Sequence, residues 1–129
     1  MIVALGIGCQ KSCPAEAIES AIHGALAAAQ AHGTIRGIFT IDGKAGESGL
    51  IEASRKLGLP IVPLGRTALA ARANDIITHS PRVEHLFGVG SVAEAAALVG
   101  AGPASRLAGP RITHLGAACA VAISPEIPS

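Results

Sequence analysis

Two apolar runs bracket one helical repeat at the start of this chain, and that alternation restricts its fold more than any other feature. Residues 2–7 (Ile-Val-Ala-Leu-Gly-Ile) are continuously apolar, as a strand buried on both faces must be. Ile18, Ile22, Ala25, Leu26 and Ala29 then recur at helical spacing and make one buried stripe. Pro14 opens this helix, where its missing N–H costs nothing. Cys13 falls at the N-cap, Glu16 at the third position, and Gly33 is the expected stop. Residues 35–41 (Ile-Arg-Gly-Ile-Phe-Thr-Ile) read as a second strand, largely apolar apart from Arg36 and Thr40. Leu50, Ala53, Ser54 and Leu57 give a shorter helix ending near Gly58, and residues 60–64 a third strand whose prolines suit a sheet edge. Strand–helix–strand units of this kind make a parallel sheet covered on both faces.

The second half is more broken. Residues 67–73 suggest a helical turn or two. Ser80-Pro81 starts a helix that runs to about Leu86, and Gly88-Val-Gly90 interrupts it. Ser91-Val-Ala-Glu94 is a complete capping-box pattern ahead of an Ala-rich helix. Residues 100–109 form a loop of small residues. Residues 111–115 and 118–123 read as strands around Gly116, a terminal hairpin, and residues 124–129 as a frayed tail. The expected fold is one domain over residues 1–129. It is a three-layer α/β/α sandwich with a mostly parallel but mixed sheet.

Composition narrows the function. Of 129 residues 26 are Ala and 16 Gly, and half are hydrophobic, which excludes intrinsic disorder. Two Phe, no Trp and no Tyr leave no stacking platform for nucleic-acid bases. A net charge of +1 without a basic block gives no electrostatic footprint for nucleic acid or an anionic membrane. No apolar run reaches the roughly 18 residues of a membrane span, and no basic leader precedes the first strand. Three cysteines do not make a disulfide framework, so a reducing cytoplasm is expected.

Three glycine-bearing loops are candidates for chemistry. Gly6-Ile-Gly8-Cys9-Gln10-Lys11-Ser12 lies between the first strand and helix, where backbone amides and the helix dipole attract anions. It is neither a dinucleotide fingerprint, since Lys11 takes the third glycine position, nor a P-loop, since Gln10 precedes the lysine. It is either an anion site or only a tight turn. Lys44-Ala-Gly-Glu47 could hold a carboxylate and orient a proton, or be a solvated loop whose acid caps a helix. Gly88-Val-Gly90-Ser91-Val-Ala-Glu94 could be a donor-rich pocket, or the capping box alone. The first two loops open on the carboxyl edge of the sheet, where open α/β sheets bind ligands. Cys13, at a helix N-terminus, is expected to have a lowered thiol pKa. The histidines show no ligand spacing, and no metal centre or cofactor is expected.

Taken together and in this order, the motifs resemble the CobE/CbiG C-terminal domain family of cobalamin (vitamin B12) biosynthesis. The resemblance rests on Gly6-Ile-Gly-Cys9 with Ala15-Glu16 and Ile18, on Lys44-Ala-Gly-Glu47 with Gly49-Leu50, on Gly88 to Leu98, and on Val121-Ala-Ile123. It spans essentially the whole chain. Three positions depart from the family pattern. Gly46 stands for the usual Asp, Gln10 for a commonly basic residue, and Ala120 for the usual Thr of the terminal strand.

The resemblance implies a role in making the corrin ring. The longer CbiG type opens a precorrin lactone and releases acetaldehyde; starting at the domain itself, this chain is expected to be the stand-alone CobE type of the aerobic route. The implied ligand is a precorrin-type tetrapyrrole, whose acetate and propionate groups suit amide donors and lysines. Gly6, Gly8, Cys9, Lys11 and Ser12 are expected to form one wall, Lys44 and Glu47 a second, and Gly88, Gly90, Ser91 and Glu94 a third. The chain would bind, carry or hand over the pigment. Alternatives are a hydrolase or lyase with Glu47 or Glu94 as general base, and a non-catalytic module docking on another enzyme of the pathway.

Overall fold

A computed structural model describes residues 1–125; most of the tail expected to fray lies outside the described residues. The chain runs β1 (Ile2–Cys9), α1 (Ala15–Ala29), β2 (Thr34–Ile41), α2 (Ser48–Leu57) and β3 (Ile61–Leu64), then α3 (Arg66–Ala70), α4 (Pro81–Phe87) and α5 (Val92–Ala101), and ends with β4 (Arg106–Leu107), β5 (Ile112–His114) and β6 (Ala117–Ser124). Strand order is β3-β2-β1-β6-β4, with β5 also on β6. β1, β2 and β3 are parallel. β6 runs against β1, β4 and β5, so it alone is reversed. The sheet is thus mixed, with β1, β2 and β3 as its parallel half, β6 antiparallel to its three neighbours, and β5 and β6 as the terminal hairpin. β4 and β5 share one edge of β6, and the Ala108 amide between them still donates to the Val121 carbonyl at 2.9 Å.

The pleat of β1 and β6 sorts residues by size. Val3, Leu5 and Ile7 of β1, with Cys119, Val121 and Ile123 of β6, face α1 and α2. Ala4 of β1 and Ala118, Ala120 and Ala122 of β6 face α5. Side chains alternate between faces along a strand, so a one-residue slip would exchange the two sets. The small face lets α5 lie against the sheet almost backbone to backbone. A Cβ on Gly6 would stand 1.8 Å from the Ala93 carbonyl oxygen. The Ala and Gly content thus serves a close helix-on-sheet layer.

Three local expectations shift. Pro14, not Cys13, is the N-cap of α1, so Glu16 falls at its second residue. α1 ends at Ala29, because Gln30 takes the left-handed conformation (φ 48°) and its amide closes on Leu26; Gly33 plays no part. The loop expected over residues 100–109 is shorter, since α5 reaches Ala101 and β4 lies within it. The caps at Ser80 and Ser91 form as expected, each hydroxyl accepting the amide three residues on.

Candidate functional site

A cleft of about 680 Å³ opens at the carboxyl ends of β1 and β2. Gly8 and Cys9 end β1 and form its floor, and Lys11 follows them at the edge. Ile41 and Lys44 enter from the end of β2. Thr113 and Gly116 bring in the β5–β6 hairpin, and Arg111 stands just before it. Opposite, α4 supplies Arg82, Val83, Leu86 and Phe87. Val92 and Ala93, the first turn of α5, close the back. Amides in a first helical turn have no intrahelical acceptor.

The three sequence loops meet here unequally. Gly8, Cys9 and Lys11 of the first loop and Lys44 of the second line the cleft together. Gly6 does not, because it is covered by α5. Ser12 (φ 62°) lies beside the lining and donates its amide to Glu47 Oε1 at 2.9 Å, so these two residues tie the first and second loops to each other.

The third loop turns its polar atoms elsewhere. Gly88 (φ 82°) ends α4, and the Gly90 carbonyl accepts the Ser80 amide at 3.0 Å. Ser91 is buried and caps α5. Glu94 is 0% exposed. One carboxylate oxygen accepts the amides of Ile77 and Thr78 at 2.8 and 2.7 Å; the other accepts the Thr78 hydroxyl at 2.8 Å and the Arg111 amide at 2.9 Å. The capping box is therefore half made: Ser91 holds the Glu94 amide, but the Glu94 side chain reaches across the fold. Burial acts to raise its pKa, yet hydrogen bonds from Thr78, Arg111 and Ile77 outweigh burial and hold it below the ordinary value. Both oxygens of this buried carboxylate are thus occupied by donors of the fold, and Glu94 is not among the residues that line the cleft.

The thiols also differ from expectation. Burial pushes Cys9 up to about 11, against the opposing pull of Lys44. Burial raises Cys13 too, aided by Glu47, so the lowered value expected at a helix start does not arise. All three cysteines are free.

Sequence reasoning placed a helix from Ser80-Pro81 to about Leu86 but did not assign α4, Arg82 or Arg111 to the site. A signal existed for the helix: Arg82, Val83, Leu86 and Phe87 sit at i, i+1, i+4 and i+5, which share one face. Arg111 follows Pro110 in a loop and has no local signature.

Charge gives the cleft its character. Lys11, Lys44, Arg82 and Arg111 all line it, and among the described residues no Asp, Glu or His does. Among the described residues none of these four cations joins an ion pair. No three His, Cys, Asp or Glu side chains cluster among the described residues. No single helix there is long and apolar enough to cross a membrane.

Comparison with known proteins is consistent across sequence and structure. Residues 3–122 match the family described as cobalamin synthesis G C-terminus. A protein CobE of Sinorhizobium sp. is 34% identical over 119 residues, covering 92% of this chain and 77% of that protein. The crystal structure of CobE, a protein from the cobalamin (vitamin B12) biosynthetic pathway, superposes with a TM-score of 0.83 at 28% identity, covering 94% of this chain and 89% of the other. The cobalamin biosynthesis protein chiG from Agrobacterium tumefaciens gives a TM-score of 0.74 at 30% identity, covering 96% and 99%.

Proposed function

This chain belongs to the cobalamin synthesis G C-terminus family, and from that premise we propose that its cleft holds a precorrin-type tetrapyrrole and carries it between steps of cobalamin biosynthesis. The observation behind this reading is a set of four cations around one concavity that, among the described residues, have no ion-pair partner and share their lining with no acid. Gathering like charges is unfavourable unless an anion joins them. A ring edged with acetate and propionate groups brings several anions at once. Arg82 and Arg111 can each take a carboxylate through two parallel hydrogen bonds, and the lysines act as point charges. Ile41, Val83, Leu86, Phe87 and Val92 offer apolar contact to the ring faces. Gly8 leaves the floor open at the backbone. Cleft volume also falls within the roughly 300–1,000 Å³ of small-molecule sites.

Carriage suits the lining better than catalysis. Its thiol, Cys9, stays protonated near neutral pH, and among the described residues no carboxylate or imidazole lines the cleft. The hydrolase or lyase alternative rests on Glu47, beside the lining at Ser12. On that reading Glu47→Gln abolishes turnover of a pathway intermediate; on ours it leaves binding intact. Handing on the ring calls for a second enzyme of the pathway at the mouth of the cleft.

The test is an absorbance titration with uroporphyrin III, an eight-carboxylate tetrapyrrole that stands in for the unstable pathway intermediates. Wild type should shift the main absorption band. Arg82→Ala and Arg111→Ala should each weaken binding about tenfold or more, the worth of one charged hydrogen-bonded contact. No shift, or variants binding as wild type does, would overturn the proposal.

A further inference from the structure

α4 differs from the other described α-helices: none of its seven residues is buried. Each of the other four α-helices buries at least one. Yet α4 forms one whole wall of the cleft. Its surroundings are built in two parts, a fixed base and a light attachment.

The base is α5. Glu94 accepts the amides of Ile77 and Thr78 and the Thr78 hydroxyl, pinning the chain before α4. The chain after α4 becomes α5 itself at Val92, capped by Ser91. Between these anchors the Ser80 amide meets the Gly90 carbonyl at 3.0 Å, which draws the two ends of residues 80–90 together. Gly88, at φ 82°, sits where a side chain would be strained. Residues 80–90 therefore form a loop with closely held ends, clamped at its base, where Val89 is buried in the core, and carrying a short exposed helix over residues 81–87.

The attachment is light: one hydrogen-bonding side chain and two partial apolar contacts. The Arg66 guanidinium, itself exposed, donates to the carbonyls of Leu86 and Phe87 at the free end of α4. Val83 and Phe87 pack only partly on the core. Facing the cleft, Leu86 is 51% exposed and Arg82 makes no ion pair among the described residues.

We infer that residues 80–90 are a lid that closes over a bound polycarboxylate, hinged on the Glu94-clamped base and latched by Arg66. The inference rests on the reading of the cleft given above. Closure gives Arg82 a carboxylate partner and covers Leu86 with the ring face. Both gains exist only with ligand present, and a ligand shifts a conformational equilibrium only through such a difference. Glu94 is a positioning residue in this scheme. It sets the root of the lid and, through the Arg111 amide, the opposite jaw.

Hydrogen exchange of the full chain, read by mass spectrometry with and without uroporphyrin III, tests this. Without ligand, amides over residues 82–88 should exchange at least ~100-fold faster than those over residues 95–101 of α5. Ligand should slow residues 80–90 by about tenfold or more while α5 stays unchanged. Arg66→Ala, outside the cleft lining, should speed porphyrin dissociation several-fold with little change in association. An α4 as protected as α5 in the free protein overturns the lid. So does a porphyrin that shifts the absorbance yet leaves residues 80–90 unprotected, and in that case the cleft reading survives. No absorbance shift at all removes the cleft reading, and the lid with it.

Discussion

Replacing Gly6 by alanine separates a packing role from a ligand-binding one. A Cβ there would meet the Ala93 carbonyl oxygen at 1.8 Å, the Ala97 amide nitrogen at 2.5 Å and the Ala93 carbonyl carbon at 2.9 Å. All three are backbone atoms of α5, so no rotamer change relieves them. Restoring ordinary contact requires α5 to lift by roughly 1.5 Å, in an interior packed as densely as an organic crystal. α5 buries nine of its ten residues, and lifting it loosens all of them. The cost of such overpacking is about 3 kcal/mol, the upper part of the usual range. In a domain of this length that lowers Tm by about 12 °C. Gly8→Ala is the matched control. It lies two residues along the same strand face, and its nearest atoms stand at 3.8 Å, which is ordinary contact. Gly8→Ala should stay within about 0.5 kcal/mol of wild type. The chain has no Trp or Tyr, so unfolding is followed by far-ultraviolet circular dichroism in urea. A Gly6→Ala protein as stable as wild type would refute the close-packed layer and return Gly6 to the list of possible ligand contacts.

Other substitutions and reagents probe separate parts of the account. Glu94 has a lowered folded pKa, so its stabilisation is present above the unfolded value of about 4.5 and lost as pH falls below it. Glu94→Gln should therefore cost about 1–3 kcal/mol at neutral pH, by leaving donors of Thr78 or Arg111 unmatched, and should flatten the loss of stability between about pH 5 and pH 3. An unchanged acid limb in urea melts would contradict this. Ser91→Ala removes the cap on α5 and should cost about 1–2 kcal/mol by the same assay, while a neutral result would show the cap to be idle. Cys9, with its pKa near 11, should be alkylated by iodoacetamide at pH 8 about 100-fold more slowly than an ordinary thiol. Peptide mapping after timed quenching reads the rate, and ordinary reactivity would refute the buried, protonated thiol.

The parts of this fold that local patterns encode were legible from the chain alone. A continuous apolar run identified β1, the stretch from Ile35 to Ile41 identified β2, spacing identified the α1 stripe, and Ser80-Pro81 and Ser91 marked two helix starts. The edge position of β3 followed from Pro60 and Pro63. What escaped was set by long-range contact. Glu94 reads locally as a capping-box acid, because the partners that claim it, Thr78 and Arg111, lie 16 and 17 residues away. Gly6 reads as a loop glycine, because the helix that needs its missing side chain begins far along the chain. The cleft was half visible. Lys11 and Lys44 follow strands and point to the carboxyl rim, whereas Arg82 and Arg111 reach it from a short helix and a loop whose placement depends on the Glu94 clamp.

The central claim is that the cationic cleft at the carboxyl rim receives a polycarboxylate ring. The most direct measurement is an amide chemical-shift map of the isotopically labelled chain during titration with uroporphyrin III. The account predicts the largest changes at Gly8, Lys11, Leu86, Ala93, Arg111 and Gly116, growing together along one saturation curve. Changes centred on the outer faces of α1 and α2, or on the β3 edge, would contradict it.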